Sequence, residues 1–169
     1  MTIDLSELFG DYDGSLDVSG KCDFQKTDFL GDTFVFPDGL SVKGKITKDM
    51  KTLKLTAKVS GNAVVPCSRC LKDVIVPVAF DLSEIMMREG EEIADNEDIV
   101  IISGHTLDLD DIVLNNFLMN VSGKYLCRED CKGLCPKCGK DLNEGSCNCS
   151  DDEPDPRWAA LTEIMNNSQ

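Results

Sequence analysis

The sequence predicts an α+β protein: an antiparallel β-meander or small barrel-like sheet, one helix packed on it, and a cysteine-rich C-terminal segment ending in a second helix. Three observations predict it. Apolar residues recur with a period of two over much of residues 16–80. The period changes to that of a helix in "TLDLDDIVLNNFLMNV", residues 106–121. Six of the nine cysteines then fall within residues 126–149. With 169 residues, 41% of them apolar, the chain can form one cored domain with a small appended module. The division expected is a β-rich core with one helix over 1–125, and a cysteine-rich segment plus a C-terminal helix over 126–169.

In order along the chain, "LDVSGKCDF" places Leu16, Val18, Cys22 and Phe24 on one side of a half-buried strand. Cys22 then points inward, where a free cysteine acts as a small hydrophobe. "LSVKGKI" repeats the alternation at Leu40, Val42 and Ile46, and Lys48–Lys51 read as a turn. The pattern resumes at Leu53, Leu55, Ala57, Val59, Ala63 and Val65, breaks at Pro66, and returns at Val74, Val76, Val78 and Phe80. Short connections between such strands argue for an antiparallel meander. Residues 83–97 are acidic and without period, and predict a loop; "DIVIISG" predicts a short strand. Asp108 is suited to cap the helix that follows, with Asp110 and Asp111 at its positive end, and Ile112, Val113, Phe117 and Val121 on its core face. A last helix is expected from Asp155, with Pro156 in its first turn and Trp158, Leu161 and Met165 on one face.

The N-terminus "MTIDLSELFG" lacks the basic patch and apolar run of a secretory signal, and no run approaches a membrane span. The expectation is a cytoplasmic protein without a membrane partner. The net charge of −14 opposes long-range attraction to bulk nucleic acid. It is unevenly spread, however: residues 41–80 carry eight bases against two acids, and residues 81–120 one base against eleven acids. Only the 41–80 stretch offers a phosphate-binding face, through Lys43, Lys45, Lys54 and Lys58, with Arg69 near a hairpin tip. The plain alternative is that these lysines solvate the outer face of a sheet.

A reducing compartment favours metal ligation by the cysteines over disulfides. "Cys135-Pro-Lys-Cys138-Gly139" has the form of a zinc knuckle, whose turn aims backbone N–H groups at two thiolates. Gly139 suits the positive φ such turns often require. Cys147 and Cys149 follow after eight intervening residues and complete four sulfurs for a closed tetrahedral site. Cys67 and Cys70 lie between two predicted strands, at a hairpin tip, and Cys127 and Cys131 follow the helix. The count suggests two sites: Cys67, Cys70, Cys127 and Cys131 in one, Cys135, Cys138, Cys147 and Cys149 in the other. One zinc held by four of the six C-terminal cysteines, with the hairpin pair spare, is the alternative. Iron–sulfur is the competing metal chemistry, and a thiol-based redox switch or chaperone-like zinc protein the competing function.

Catalysis has little support in the sequence. The single histidine, His105, sits near a helix start, where a local hydrogen bond is the expected role. No HExxH, G-x-S-x-G or phosphate-binding loop occurs. No enzymatic activity and no small-molecule substrate are expected.

"CSRC" at 67–70, "LCREDCKGLCPKCGKDLNEGSCNC" at 126–149 and "DPRWAAL" at 155–161, in this order and spacing, make the chain resemble the YceD family, the large ribosomal RNA subunit accumulation proteins. The resemblance points to Cys67, Arg69 and Cys70 as the more general feature. It implies a non-enzymatic protein that supports large-subunit ribosomal RNA accumulation, ribosome assembly or rRNA processing, while the cysteines themselves point to zinc, one or two ions, as the cofactor. The partner it implies is precursor ribosomal RNA, a ribosomal protein or a processing factor.

Overall fold

The alternation of residues 16–80 becomes the centre of a sheet in a computed structural model that describes residues 1–10, 14–90 and 99–149. The elements are β1 (Thr2–Asp4), α1 (Ser6–Gly10), β2 (Ser15–Cys22), β3 (Lys26–Phe29), β4 (Asp32–Val35), β5 (Leu40–Asp49), β6 (Thr52–Pro66), β7 (Asp73–Arg88), β8 (Ile99–Ile102), β9 (Thr106–Asp108) and α2 (Leu109–Asn120). Strands β2, β5, β6 and β7 lie side by side, each antiparallel to the next. Their inward residues, among them Val18, Cys22, Val42, Ile46, Leu55, Val59 and Leu82, are buried. The outward residues are mostly Lys, Ser, Thr and Asp, as expected of a sheet with one face in water.

The sheet is open, not a closed barrel. Strand β8 adds parallel to β7 at one end, and β2 forms the other. Closure is unnecessary because other elements cover the apolar face. Leu109, Ile112, Val113 and Phe117 of α2, Leu8 of α1 and Leu107 of β9 join the sheet residues in one core cluster. The β1–β9 ribbon carries the entry to α2, and Asp108 caps that helix by accepting the Asp110 N–H at 3.0 Å.

Two features depart from the sequence expectation. Residues 83–88, expected in a loop, continue β7, which pairs with β6 as far as Met86. The apparent loss of period comes from Glu84, an acid on the inward side of the strand. Asn116 of α2 donates to Glu84 Oε1 at 2.6 Å and so satisfies it. The second departure is the β3–β4 hairpin, too short to show a period. Its turn places Leu30 (φ 53°) and Gly31 (φ 91°) in the left-handed region, and Phe34 and Phe36 beside it pack edge-on against Phe117. The loop expected at 91–97 and the helix expected from Asp155 lie outside the described residues.

At His105 the hydrogen bond is made by the backbone and the ring packs on an aromatic neighbour. Its carbonyl accepts the Leu5 N–H at 2.7 Å, and its ring meets the Phe9 edge at a centroid distance of 5.4 Å.

Candidate metal centres

Strands β6 and β7 are the longest among the described residues, and their hairpin carries Cys67 and Cys70 beyond the core. The turn is tight: Cys67 N–H donates to Lys72 O at 2.8 Å and Leu71 N–H to Cys67 O at 2.9 Å. The CPKCGK turn repeats this pattern, with Cys135 N–H to Lys140 O at 2.8 Å and Gly139 N–H to Cys135 O at 2.9 Å. Each turn requires one left-handed residue, Leu71 (φ 61°) in the first and Gly139 (φ 73°) in the second. Glycine takes that conformation at no steric cost, whereas a leucine is strained there. The two knuckles are therefore alike in backbone although their sequences share little beyond the cysteines and the closing lysine.

The C-terminal segment docks on the first knuckle largely through its backbone. Ser68 N–H donates to Tyr125 O at 2.7 Å, and Tyr125 N–H to Ser68 Oγ at 3.0 Å. Arg69 Nη1 donates to Cys131 O at 2.6 Å, and Leu134 N–H to Arg69 O at 3.1 Å. These bonds bring Cys127 and Cys131 over Cys67 and Cys70. The Cys67 and Cys131 sulfurs are 3.9 Å apart, and those of Cys70 and Cys127 3.5 Å. Cys135, Cys138, Cys147 and Cys149 form a second group, and within each group all four sulfurs lie within 4.8 Å of one another.

These distances fit a metal. A tetrahedron of zinc–sulfur bonds of about 2.3 Å separates its sulfurs by roughly 3.8 Å. A disulfide would need about 2.05 Å. The donor chemistry agrees, since four thiolates suit a soft or borderline ion and leave no coordination position open. Burial differs between the groups. In the first group Cys67, Cys70 and Cys131 are buried in a small cluster with Val74, Leu126 and Leu134 and only Cys127 is exposed; in the second only Cys135 is buried, Cys138 is exposed and Cys147 and Cys149 are half-buried.

Electrostatics point the same way. Burial pushes the Cys67 thiol up, but the N–H groups of Cys70, Arg69 and Cys127 outweigh it and hold the thiol down to about 6. The N–H groups of Cys138 and Lys137 do the same for Cys135, also to about 6. Cys127 is pushed up to about 12 by the Cys70 thiol and by burial, and Cys149 to about 12 by the Cys138 thiol and by burial. In the first group Cys131 is also held down, against burial, by the Asn143 side chain and the Gly133 N–H, while Cys127 resists ionisation; in the second group Cys149 resists it, because negative charge accumulates in one place. A central cation removes that resistance.

Sequence reasoning missed the polar residues around the sulfurs. Asn143 reaches Cys131, and Lys72 reaches Asp141 and Glu144. Only folding brings these together, and no local pattern announces them.

Lys43, Lys45, Lys54 and Lys58 are all exposed on the outer face of β5 and β6. Lys43 stands opposite Lys58 across the two strands, Lys45 opposite Thr56 and Lys54 opposite Thr47. Asp81 on β7 is 4.0 Å from Lys58, with both side chains open to water. Arg69 is not in this group; it lies at the knuckle, engaged with Cys131.

The described residues thus form an open, one-faced sheet with an appended segment that carries two four-cysteine groups, each able to hold a metal ion. The family comparison is specific. The model of the large ribosomal RNA subunit accumulation protein YceD matches residues 55–165, and the chain belongs to that family. It is 30% identical over 125 residues to the uncharacterized protein YlbN of Bacillus subtilis, covering 73% of each chain. It is 29% identical over 114 residues to the uncharacterized protein Rv2926c of Mycobacterium tuberculosis, 66% of this chain and 55% of that one. The match thus spans about half the length of this mycobacterial relative. No solved structure matches.

Proposed function

We propose that the protein is a non-enzymatic, cytoplasmic factor supporting large-subunit ribosomal RNA accumulation, with one zinc ion in each cysteine group and a lysine face that contacts precursor RNA. The two complete sets of four sulfurs, together with the family's name, carry the reading. Zinc supplies charge neutralisation and a rigid tetrahedral tie. The chain's own residues do the rest: the β6–β7 hairpin offers one pair of thiols, and the segment after α2 brings the other pair over it. Zinc is preferred to an iron–sulfur cluster because all four sulfurs of each group lie within 4.8 Å of one another, close enough to surround one ion and too close to enclose several iron atoms.

A scaffold role is also favoured by the cleft of about 510 Å³ between α2 and β8, whose lining includes Glu84, Asp108 and Asp111. Glu84 is bonded to Asn116 and Asp108 caps α2, so two of these carboxylates already have structural work.

The RNA face has a direct test. Replacing Lys43, Lys45, Lys54 and Lys58 together by glutamine is expected to weaken precursor-RNA binding and to flatten its salt dependence. Each phosphate neutralised contributes a slope of about −0.7 to −0.9 in log K against log salt. A fourfold variant with unchanged affinity across a salt series rejects the face. Affinity purification of the tagged protein from cells tests the wider reading, and recovery of neither large-subunit precursors nor ribosomal proteins counts against it.

A further inference from the structure

We infer that the loop closing the second cysteine group also positions a ligand of the first, with Asn143 as the positioning residue, so that the two centres bind metal cooperatively. The inference rests on the reading of both groups as metal centres. The loop in question runs between Cys138 and Cys147. Within it, Asn143 Nδ2 donates to Cys131 Sγ at 3.4 Å and to Asp141 Oδ1 at 2.7 Å. Its Oδ1 accepts from Lys132 N–H at 2.8 Å and Arg128 Nη2 at 2.7 Å. Every one of these contacts requires the amide in this orientation, so the donor end faces the thiolate. The N–H···S bond lowers the Cys131 sulfur's charge and aims it at the other three.

The same loop also reaches the other half of the first group. Lys72 Nζ, next to the first knuckle, lies 2.7 Å from Asp141 Oδ2 and 3.0 Å from Glu144 Oε1. Leu142 N–H donates to Gly133 O at 2.9 Å. Gly133 packs tightly under the knuckle, where an added Cβ would stand 2.9 Å from Arg69 O. Residues of one loop thus grip both the hairpin half and the Cys127–Cys131 half.

What holds the loop itself is the second centre. Residues 139–149 contain no buried side chain, so they have no apolar core to fold around. When Cys138 and Cys147 share an ion, the loop is closed and Asn143 stays on Cys131. When they do not, the first centre loses its outer partners. Removing such partners typically costs about 10–100-fold in metal affinity. By linkage, the first centre must help the second by the same factor.

Cobalt titration of the full chain, stripped of metal and kept reduced, tests this, with the tetrahedral thiolate absorption as signal and chelator competition for affinity. A Cys138→Ser/Cys147→Ser variant retains the first group alone; a Cys67→Ser/Cys70→Ser variant retains the second alone. Each is expected to hold its remaining ion about 10–100-fold more weakly than the parent holds the same ion once its other centre is filled. The loss is expected to be the same in both directions. Asn143→Ala keeps all eight ligands and is expected to weaken the first centre and shift its charge-transfer band while the sheet's own unfolding is unchanged. Should Asn143→Ala not fold, Lys72→Met, which leaves the backbone of the knuckle intact, carries the same expectation of weaker binding. Parent and single-centre variants binding equally tightly would overturn the coupling alone. A parent that takes up no cobalt would overturn the metal reading, and the coupling with it.

Discussion

Cys22 lies at the end of β2, fully buried, with the Asp110 carboxylate of α2 beside its thiol. Burial, then that carboxylate, push the thiol up to about 12 from its ordinary value near 9. The folded state therefore keeps a proton that the unfolded chain releases above about pH 9. The sign follows: the contribution is fully present below pH 9 and is lost as pH rises toward 12. Cys22→Ala is expected to cost about 1 kcal/mol at neutral pH through the small cavity it leaves. It is also expected to reduce the loss of stability between pH 9 and 12 relative to the parent. Denaturant titrations of both proteins across that range check it, and parallel curves would refute it. Peptide mass spectrometry after alkylation gives a second check, since Cys22 should react only in unfolding conditions. The inward position of Cys22 was legible from the alternation of its strand, whereas its closeness to Asp110 depends on where α2 lands.

Gly44 of β5 stands opposite Ala57 of β6. A Cβ on Gly44 would lie 2.2 Å from Thr56 O and 2.4 Å from Ala57 Cα. These are backbone atoms, so the strain cannot be relieved by turning a side chain. Gly44→Val is expected to destabilise the sheet by about 1–3 kcal/mol, the usual range for overpacking. The midpoint of urea unfolding measures it, and an unshifted midpoint would show that the strands separate freely there. At this scale the sequence was informative where patterns are local and regular. Strands β2, β5 and β6, the first part of β7, and α2 with its Asp108 cap all follow from period and capping. The knuckle turns follow from CxxC spacing. What was hidden depended on contacts between elements. Glu84 interrupts the alternation of β7 and becomes tolerable only because Asn116 is opposite. The β3–β4 hairpin is anchored by Phe34 and Phe36 meeting a helix some eighty residues on. Asn143 has no signature of its own, since its partner Cys131 is brought to it by the fold.

Across the molecule, the sheet core and the first cysteine group are separate clusters, and on the proposed reading different forces hold them. The sheet core is apolar and contains none of the eight clustered cysteines. The first cysteine group belongs to a separate small cluster, with Val74, Leu126 and Leu134 as its partly buried apolar neighbours among the described residues. Burying three such half-covered side chains brings a few kcal/mol. Ordering some twenty residues of backbone costs about 1 kcal/mol or more for each. Burial among the described residues therefore falls short of this cost for residues 126–149, and thiols drawn together on an ion would supply the rest. Metal binding supplies free energy of the required order, on the order of 10 kcal/mol per structural ion. Removing metal with a chelator under reducing conditions is expected to release this segment while the sheet remains folded. Limited proteolysis should then cut within 126–149 at an accelerated rate, and the far-ultraviolet signal of the sheet should persist with its cooperative unfolding intact. Loss of the whole β signal on chelation would mean that the metal-held segment and the sheet fold as one unit. The lysine face on β5 and β6 would then also depend on the cysteines, because the strands that present it would no longer be independent of them.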